Sequence, residues 1–176
     1  MSDSSNGGAD AGAETGAAAS GEQAPPRYRI VTQYVKDLSF ESPRPPAQLP
    51  HTIGFPEIGV SVNVNSRGLD AERNTFEVEL VLEAKATKDG DVVFIVEVVY
   101  AAVMELINVP DELKPPITLI EGPRFIFPYA RRVISDVVRD GGFPPVLLEP
   151  IDFNALYRQH AAGAGAEAQQ AATSDA

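Results

Sequence analysis

Residue types that commonly carry enzymatic chemistry are sparse in this sequence and poorly spaced. Cysteine is absent, which excludes disulfides, thiolate metal sites and thiol nucleophiles. The two histidines, His51 and His160, stand in a proline-rich stretch and at the end of a predicted helix, so their spacing predicts neither a metal site nor a catalytic triad. No zinc-protease, nucleophile-elbow or phosphate-loop motif occurs. The sequence therefore predicts a protein that is not an enzyme and that needs no cofactor.

Carboxylates are the one chemically active type that recurs at short spacing. Glu77, Glu79 and Glu83 fall on one face of a predicted strand, because side chains alternate along a strand. Paired carboxylates can serve as general acid and base. A run of charges on one strand face is nevertheless typical of a solvated surface, and we interpret these residues in that way.

Charge and composition divide the chain into three parts. Residues 1–26 and 161–176 are rich in Gly, Ala and Ser and contain six acidic and no basic residues. They lack the bulky apolar residues that offset the entropy of ordering, so we predict two disordered tails around one domain of residues 27–160. The net charge of −11 argues against nucleic acid as a partner and suits a partner with a basic surface.

Neither a secretion signal nor a membrane span is predicted. The N-terminal residues contain no basic segment followed by an apolar run. No segment approaches about 18 uninterrupted apolar residues. We therefore expect no direct insertion into a membrane.

Alternating apolar residues predict four strands, at residues 27–41, 58–65, 75–87 and 92–103. The fourth strand is apolar on both faces apart from Glu97, which indicates cover by another element or another chain. Residues 65–74 are predicted as a polar turn region, and residues 88–91 as a hairpin turn. On the first strand, period two predicts one face with Tyr28, Ile30, Tyr34, Leu38 and Phe40, and the opposite face with Asp37, Ser39 and Glu41.

Two helices are predicted after the strands. Phe127, Ala130, Ile134, Val137 and Val138 form one helical face, and the sequence leaves open whether this helix begins near residue 123 or residue 128. A left-handed cap is predicted at residue 141. A second helix is predicted for residues 153–160, with an N-cap at residue 152. Strands followed by helices predict an α+β domain with an antiparallel sheet.

Two stretches of the chain connect these elements less regularly. Residues 42–56 contain five prolines and cannot form regular structure, and a connection of this length in a compact domain is often functional. Residues 105–122 are broken by prolines yet remain apolar. We interpret them as a buried, irregular lead-in to the first helix.

Three separate stretches, in the same order, resemble the SecB family of bacterial export chaperones. They are YVKDLSFESP at residues 34–43, FIVEV at residues 94–98, and a C-terminal set of motifs. That set consists of FPYAR at residues 127–131, GFPP at 142–145 and LEPIDFNALY at 148–157. Ala102 departs from the family pattern, in which this position is often glycine. The proline-rich residues 110–123 differ from the best-known enterobacterial form and look like the alphaproteobacterial branch.

The resemblance implies a fold, an assembly and an activity. The implied fold is a four-stranded antiparallel sheet followed by two helices, assembling as a homotetramer that is a dimer of dimers. The implied activity is that of a cytoplasmic, ATP-independent chaperone that holds preproteins unfolded and delivers them to SecA, the translocase ATPase.

Two sets of residues are candidates for binding partners. By resemblance, Asp37, Glu41, Ile95 and Glu97 match the acidic patch of the family that docks SecA. The same residues without the resemblance are typical of a solvated charged face. For unfolded clients we predict an apolar groove edged by residues 43–56, the second strand and the last helix. Its candidate lining residues are Phe55, Ile58, Val60 and Leu156, of which Ile58 and Val60 are equally consistent with ordinary core.

Two other functional classes remain open from the residues alone. One is an oligomeric structural or adaptor protein that binds a folded partner, and the other is a small-molecule binding module. A chaperone suppresses the aggregation of several unrelated unfolded proteins without nucleotide, whereas an adaptor binds one folded partner.

Overall fold

The computed structural model describes residues 24–43 and 56–162 of the chain. The candidate Phe55 and most of both predicted tails lie outside these ranges. Residues 161 and 162 continue the last helix, so its predicted end at His160 is two residues too early.

A four-stranded antiparallel sheet forms one layer of the domain. Its strands are β1 (Arg27–Glu41), β2 (Glu57–Asp70), β3 (Thr75–Lys88) and β4 (Asp91–Ile107). They are arranged in the order β1-β4-β3-β2, so β1 and β2 are the two edges. The connection at residues 42–56 therefore links opposite edges of the sheet. β4 lies between β1 and β3 in the middle of the sheet.

Two strands are longer than predicted. β2 continues to Asp70, so the predicted turn over residues 65–74 is wrong for its first half, and only residues 71–74 form the turn. Asn65 and Arg67 are polar because they face away from the core, opposite Glu79 and Glu77. β4 continues four residues beyond its predicted end. The predicted hairpin turn is confirmed, with the positive φ angles of Asp89 and Gly90 that a two-residue turn requires.

The main helix (Gly122–Asp140) covers one face of the sheet and packs against β4 and β3. Four of the five predicted residues are buried, namely Phe127, Ala130, Ile134 and Val138. Val137 is only partly buried, and Ile126, which was not predicted, is buried as well. We call this covered face the inner face and the opposite one the outer face. The inner face contributes buried side chains such as Leu80, Leu82, Val96 and Val98.

The main helix begins at the earlier of the two predicted positions, so Pro123 is in its first turn and Pro128 is inside it. Before it, residues 111–121 form successive short turns, ending in a π-helical turn at Ile117–Glu121. The predicted irregular lead-in is thus a helical one.

The end of the main helix differs from the prediction by one residue. Gly141 has φ −69°, and Gly142, with φ 87°, is the residue in the left-handed conformation. The amide of Gly142 donates to the carbonyl of Arg139, and that of Phe143 donates to the carbonyl of Val138. This pair of bonds is a Schellman motif with Gly142 at its left-handed position.

The second helix (residues 153–162) follows an extended segment. Its predicted N-cap is confirmed, because Oδ1 of Asp152 accepts hydrogen bonds of 3.0 Å from the amides of Asn154 and Ala155. Phe153 is buried and meets Phe127 of the main helix edge to face, with ring centroids 6.1 Å apart. The two helices therefore share one core.

Candidate functional site

Two bulges in β1 decide which of its side chains reach the outer face. The pairing with β4 skips a residue at Val31 and again at Lys36. The first bulge inverts the alternation and the second restores it. Tyr34 therefore lies on the outer face, and its predicted place on the apolar face with Phe40 is wrong.

The four residues matched to an acidic docking patch lie together on the outer face. Glu41 is opposite Ile95, and Ser39 in the next row is opposite Glu97. Asp37 occupies the row after that. The strand register thus brings Asp37, Glu41, Ile95 and Glu97 to one face, although their role in binding stays a prediction.

The neighbouring strand adds a carboxylate that the sequence reasoning did not assign to this site. Glu83 of β3 lies directly opposite Glu97 of β4, and both are partly buried. Like charges opposite each other destabilise a sheet by tenths of a kcal/mol to about 1 kcal/mol. Within residues 24–43 and 56–162, no ion pair joins a basic group to Asp37, Glu41, Glu83 or Glu97.

We call these four carboxylates with Ile95 the acidic surface. Since none of these carboxylates forms an ion pair inside the described part of the domain, the surface is suited to a basic partner. Lys85, which lies opposite Ile95 on β3, is a basic residue within the same rows.

The rest of the outer face is charge-compensated around one buried carboxylate. Glu77 of β3 is only 3% exposed. Its carboxylate accepts hydrogen bonds from the Tyr34 hydroxyl, from Lys36 Nζ at 2.9 Å and from Arg67 Nε at 2.6 Å. Lys36 also pairs with Glu79. We call these five residues the ion cluster.

The ion cluster perturbs the acidity of its members. The hydrogen bond from Tyr34, followed by those from Lys36 and Arg67, lowers the pKa of Glu77 from 4.5 to about 2, although burial acts in the opposite direction. The same hydrogen bond raises the pKa of the Tyr34 hydroxyl. Glu77 is therefore ionised at neutral pH, and its charge is held by three donors from both edge strands.

An apolar groove of about 690 Å³ opens beside the edge strand β2. One wall consists of Ile58, Val60 and Val62, which alternate on the inner face of that strand. Ile58 and Val60 remain 39% and 47% exposed. They are therefore not ordinary core, and the structure brings both of these predicted residues together in one groove.

The opposite wall of the groove is the extended segment at residues 143–151, which sequence reasoning did not assign to it. Gly142 ends the main helix, and Pro144 and Pro145 keep the following chain extended. Phe143, Val146 and Leu148 of this segment are buried against the core, and Leu147 is exposed. The sequence signal was a set of prolines, at residues 144, 145 and 150, around an apolar stretch at residues 146–148.

Leu156, the fourth predicted groove residue, lies in a separate pocket. This pocket of about 250 Å³ is lined by Val64 of β2, by Leu119, and by Leu156 and Tyr157 of the second helix. The described residues thus form two apolar depressions along β2 rather than the single groove that we predicted. Phe55 lies outside the described residues.

Neither a metal centre nor a membrane-spanning helix is found in the described ranges. They contain no group of three or more His, Cys, Asp or Glu side chains that could hold a metal ion. In the same residues no helix is both long enough and apolar enough to cross a membrane.

Comparison with known proteins identifies the family. The family described as Preprotein translocase subunit SecB matches residues 21–164. This chain belongs to the SecB family. Its relatives named Protein-export protein SecB include one from Rhodopseudomonas palustris (strain BisA53), which is 46% identical over 147 residues, 84% of this chain and 90% of that protein. One from Afipia carboxidovorans is 43% identical over 157 residues, 89% of this chain and 96% of that protein.

These findings confirm the predicted family and its alphaproteobacterial branch, and they assign a chaperone role in protein export. A solved SecB-like chaperone from Mycobacterium tuberculosis, in complex with a ChAD peptide from the HigA1 antitoxin, confirms the SecB-like fold. The TM-score is 0.59 at 17% identity, and the match covers 71% of this chain and 91% of that one.

Proposed function

We propose that this SecB-family chain holds preproteins unfolded without ATP in the cytoplasm and delivers them to SecA. The observation that carries this proposal is the apolar groove beside β2. The groove has a volume of about 690 Å³ and is lined mainly by apolar side chains of β2 and of residues 143–151. Its exposed Ile58 and Val60 can bury apolar side chains of an unfolded segment, and the energy of that burial needs no nucleotide.

The separation of the two candidate sites supports delivery. The groove walls of β2 lie on the inner side of the sheet, whereas the acidic surface lies on the outer face. A client in the groove therefore leaves Asp37 and Glu97 accessible. A chaperone with this arrangement can hold a preprotein and contact the translocase ATPase at the same time.

Exposed apolar residues support a homotetramer that is a dimer of dimers. Phe125 and Tyr129 on the main helix are 43% and 41% exposed, and Val31, Val35 and Leu38 on the edge strand β1 are also exposed. Large apolar side chains exposed together on adjoining elements are a common mark of a protein–protein contact. We propose that other copies of the chain cover them.

A structural or adaptor protein is the second candidate. The acidic surface favours it, because Asp37, Glu41 and Glu97 stand on regular strands and could bind a folded basic partner without any groove. A small-molecule binding module is the third candidate, since the groove is of ordinary ligand size.

Aggregation assays separate these candidates. A urea-denatured preprotein is diluted into buffer with the chain and without ATP, and light scattering is recorded. We expect the chain to suppress the aggregation of several unrelated unfolded proteins at a nearly equimolar ratio. It should not bind the folded forms of the same proteins. Suppression that required ATP, or binding of only one folded partner, would contradict the holding function.

A further inference from the structure

The outward position of Asp37 and Glu41 depends on the bulge at Lys36. Tyr34 and Asp37 both lie on the outer face although they are three residues apart. In a strand without the bulge, strict alternation from Tyr34 would turn Asp37 and Glu41 to the inner face. The acidic surface would then lose half of its carboxylates.

A bulged residue is outside the regular ladder of hydrogen bonds, so its conformation depends on other contacts. Lys36 has such contacts. Its Nζ donates to Glu77 at 2.9 Å and pairs with Glu79 on β3. Tyr34, two residues before the bulged residue, also donates to Glu77. The bulged residue and the strand that precedes it are therefore tied to one carboxylate.

These contacts cross an entire strand. β4 lies between β1 and β3, so the side chains of Tyr34 and Lys36 span two strand spacings, about 9–10 Å. Ala101 of β4 is paired with Tyr34 and with Glu79, and Glu77 lies in the next outward-facing row, opposite Val103. The small side chain of Ala101 is fully buried. The small residue leaves a path for the longer side chains over the sheet.

The anchor itself is rigidly held. Glu77 is almost inaccessible to water, and Arg67 of the opposite edge strand binds the same carboxylate at 2.6 Å. A buried carboxylate strongly favours the conformations in which its donors stay in place. The inner side of β1 adds a second constraint, because Phe40 stacks on Phe94 with ring centroids 5.9 Å apart.

We propose that Glu77 is a positioning residue for the docking of SecA: through Lys36 and Tyr34 it fixes the β1 bulge that turns Asp37 and Glu41 to the acidic surface. This inference rests on the proposed delivery to SecA at that surface. Neither Glu77 nor Lys36 needs to touch SecA.

The substitution Lys36→Met tests the inference, because the inference and simple electrostatics predict opposite changes in SecA affinity. It removes a positive charge from an acidic face, so charge alone would tighten the binding of a basic partner. Loss of the bulge anchor instead predicts binding of purified SecA weaker by roughly fivefold or more, equivalent to about 1 kcal/mol. Lys36→Arg keeps the charge and the reach and should restore binding.

Lys85→Met is the matched control. It removes the same charge from the same face but lies outside the bulge, so it should tighten SecA binding. Glu77→Gln should weaken SecA binding and speed the hydrogen exchange of amides at residues 37–41 relative to those at residues 57–61 of β2, which are remote from Arg67. If Lys36→Met tightens binding as Lys85→Met does, the inference is wrong.

Two further measurements separate this inference from the proposed function. Asp37→Ala combined with Glu97→Lys removes the acidic surface directly, and wild-type SecA affinity in that variant would overturn the proposed docking surface. If that variant no longer binds SecA while Lys36→Met and Glu77→Gln bind SecA normally, only the positioning role of Glu77 is wrong. An equal loss of client holding in Lys36→Met would also overturn it, because the groove lies on the other side of the sheet.

Discussion

The ring of Phe40 lies against the backbone of Gly141 and leaves no room for a side chain there. A Cβ atom on residue 141 would lie 2.6 Å from Cε1 of Phe40, closer than carbon atoms normally approach. The contact joins the end of β1 to the end of the main helix. Glycine at this position is therefore required by packing, whereas Gly142 is required by its φ of 87°.

Replacing Gly141 by alanine should lower the free energy of unfolding by about 1–3 kcal/mol, because the added methyl group forces the Phe40 ring or the helix end to move. Gly68→Ala is the matched control, since no heavy atom lies within 4 Å of a Cβ atom built there. Urea unfolding at neutral pH measures both. Equal stability of the two variants would show that the Phe40 contact relaxes at no cost.

The sequence pattern predicted the elements well and the local irregularities poorly. Apolar periodicity located all four strands and the buried face of the main helix. It misplaced Tyr34, because two bulges in β1 invert the alternation only between them. Bulges depend on hydrogen bonds between strands and leave no mark in the spacing of apolar residues. The choice between two adjacent glycines for the left-handed cap has the same origin in tertiary packing.

The candidate sites were also only partly predictable from the spacing of residues. A regular hairpin at residues 88–91 would set Glu83 opposite Val96, on the wrong face. An irregularity between Ala86 and Thr87 shifts the pairing by one residue and sets Glu83 opposite Glu97. The groove was predicted from β2, but its other wall at residues 143–151 is extended chain without periodicity. Its position becomes evident only when the main helix is placed.

Polar substitution in the groove should weaken client holding. Ile58→Ser with Val60→Ser removes apolar surface from the exposed wall of β2, so suppression of preprotein aggregation should require severalfold more chaperone. Asn63→Ser, on the opposite face of the same strand, is the control and should behave as wild type.

Leu156→Ser tests whether the second pocket acts together with the groove. A similar loss of client holding would indicate that the two apolar depressions form one client-binding path along β2. If the Ile58→Ser, Val60→Ser variant keeps its fold and mass and still holds clients as well as wild type does, the client site lies elsewhere.

Charge should dominate the interaction with SecA. The carboxylates of Asp37 and Glu97 have no basic partner in the described residues, so SecA affinity should fall steadily as salt is raised from about 0.05 to 0.5 M. Asp37→Ala with Glu97→Lys should bind SecA at least about tenfold more weakly at low salt. Client holding should survive, because the groove is a separate surface.

A charge-matched control distinguishes an effect of the acidic surface on SecA binding from an effect of the protein's net charge. Glu72→Lys with Glu112→Ala changes the total charge by the same amount at exposed sites in the β2–β3 turn and before the main helix. This variant should retain SecA binding by isothermal titration calorimetry. If both double variants lose affinity equally, the protein's overall charge, and not this surface, attracts SecA.

Assembly should depend on the exposed aromatic residues of the main helix. Phe125 and Tyr129 contact each other with ring centroids 6.2 Å apart, and Tyr129 also stacks on Tyr100. Phe125→Asp with Tyr129→Asp should reduce the proposed tetramer to smaller species in light scattering at micromolar concentration, since burying unpaired charges is costly. Leu147→Asp, at an apolar site that is also exposed, should leave the mass unchanged. A wild-type monomer at that concentration would contradict the proposed assembly.

Acid should remove the stabilisation that the ion cluster supplies. The pKa of Glu77 is about 2 in the folded protein, below the ordinary 4.5, because Tyr34, Lys36 and Arg67 donate to its ionised form. The folded state therefore binds this proton more weakly than the unfolded state does. The contribution of the ionised carboxylate to stability is complete above about pH 4.5 and is lost as the pH falls towards 2.

Glu77→Gln should be less stable than wild type by about 1–3 kcal/mol at pH 7, because its donors lose a charged acceptor. The difference should shrink as the pH is lowered from 5 to 2, since the unfolded wild-type chain takes up a proton on Glu77 over that range while the folded protein does so only near pH 2. Urea unfolding at closely spaced pH values measures the difference, and the same series with Glu72→Gln corrects for the loss of one carboxylate outside the cluster. A difference that stayed constant from pH 7 to pH 2 would mean that the proton on Glu77 is bound equally in both states, and that the donors do not favour its ionised form.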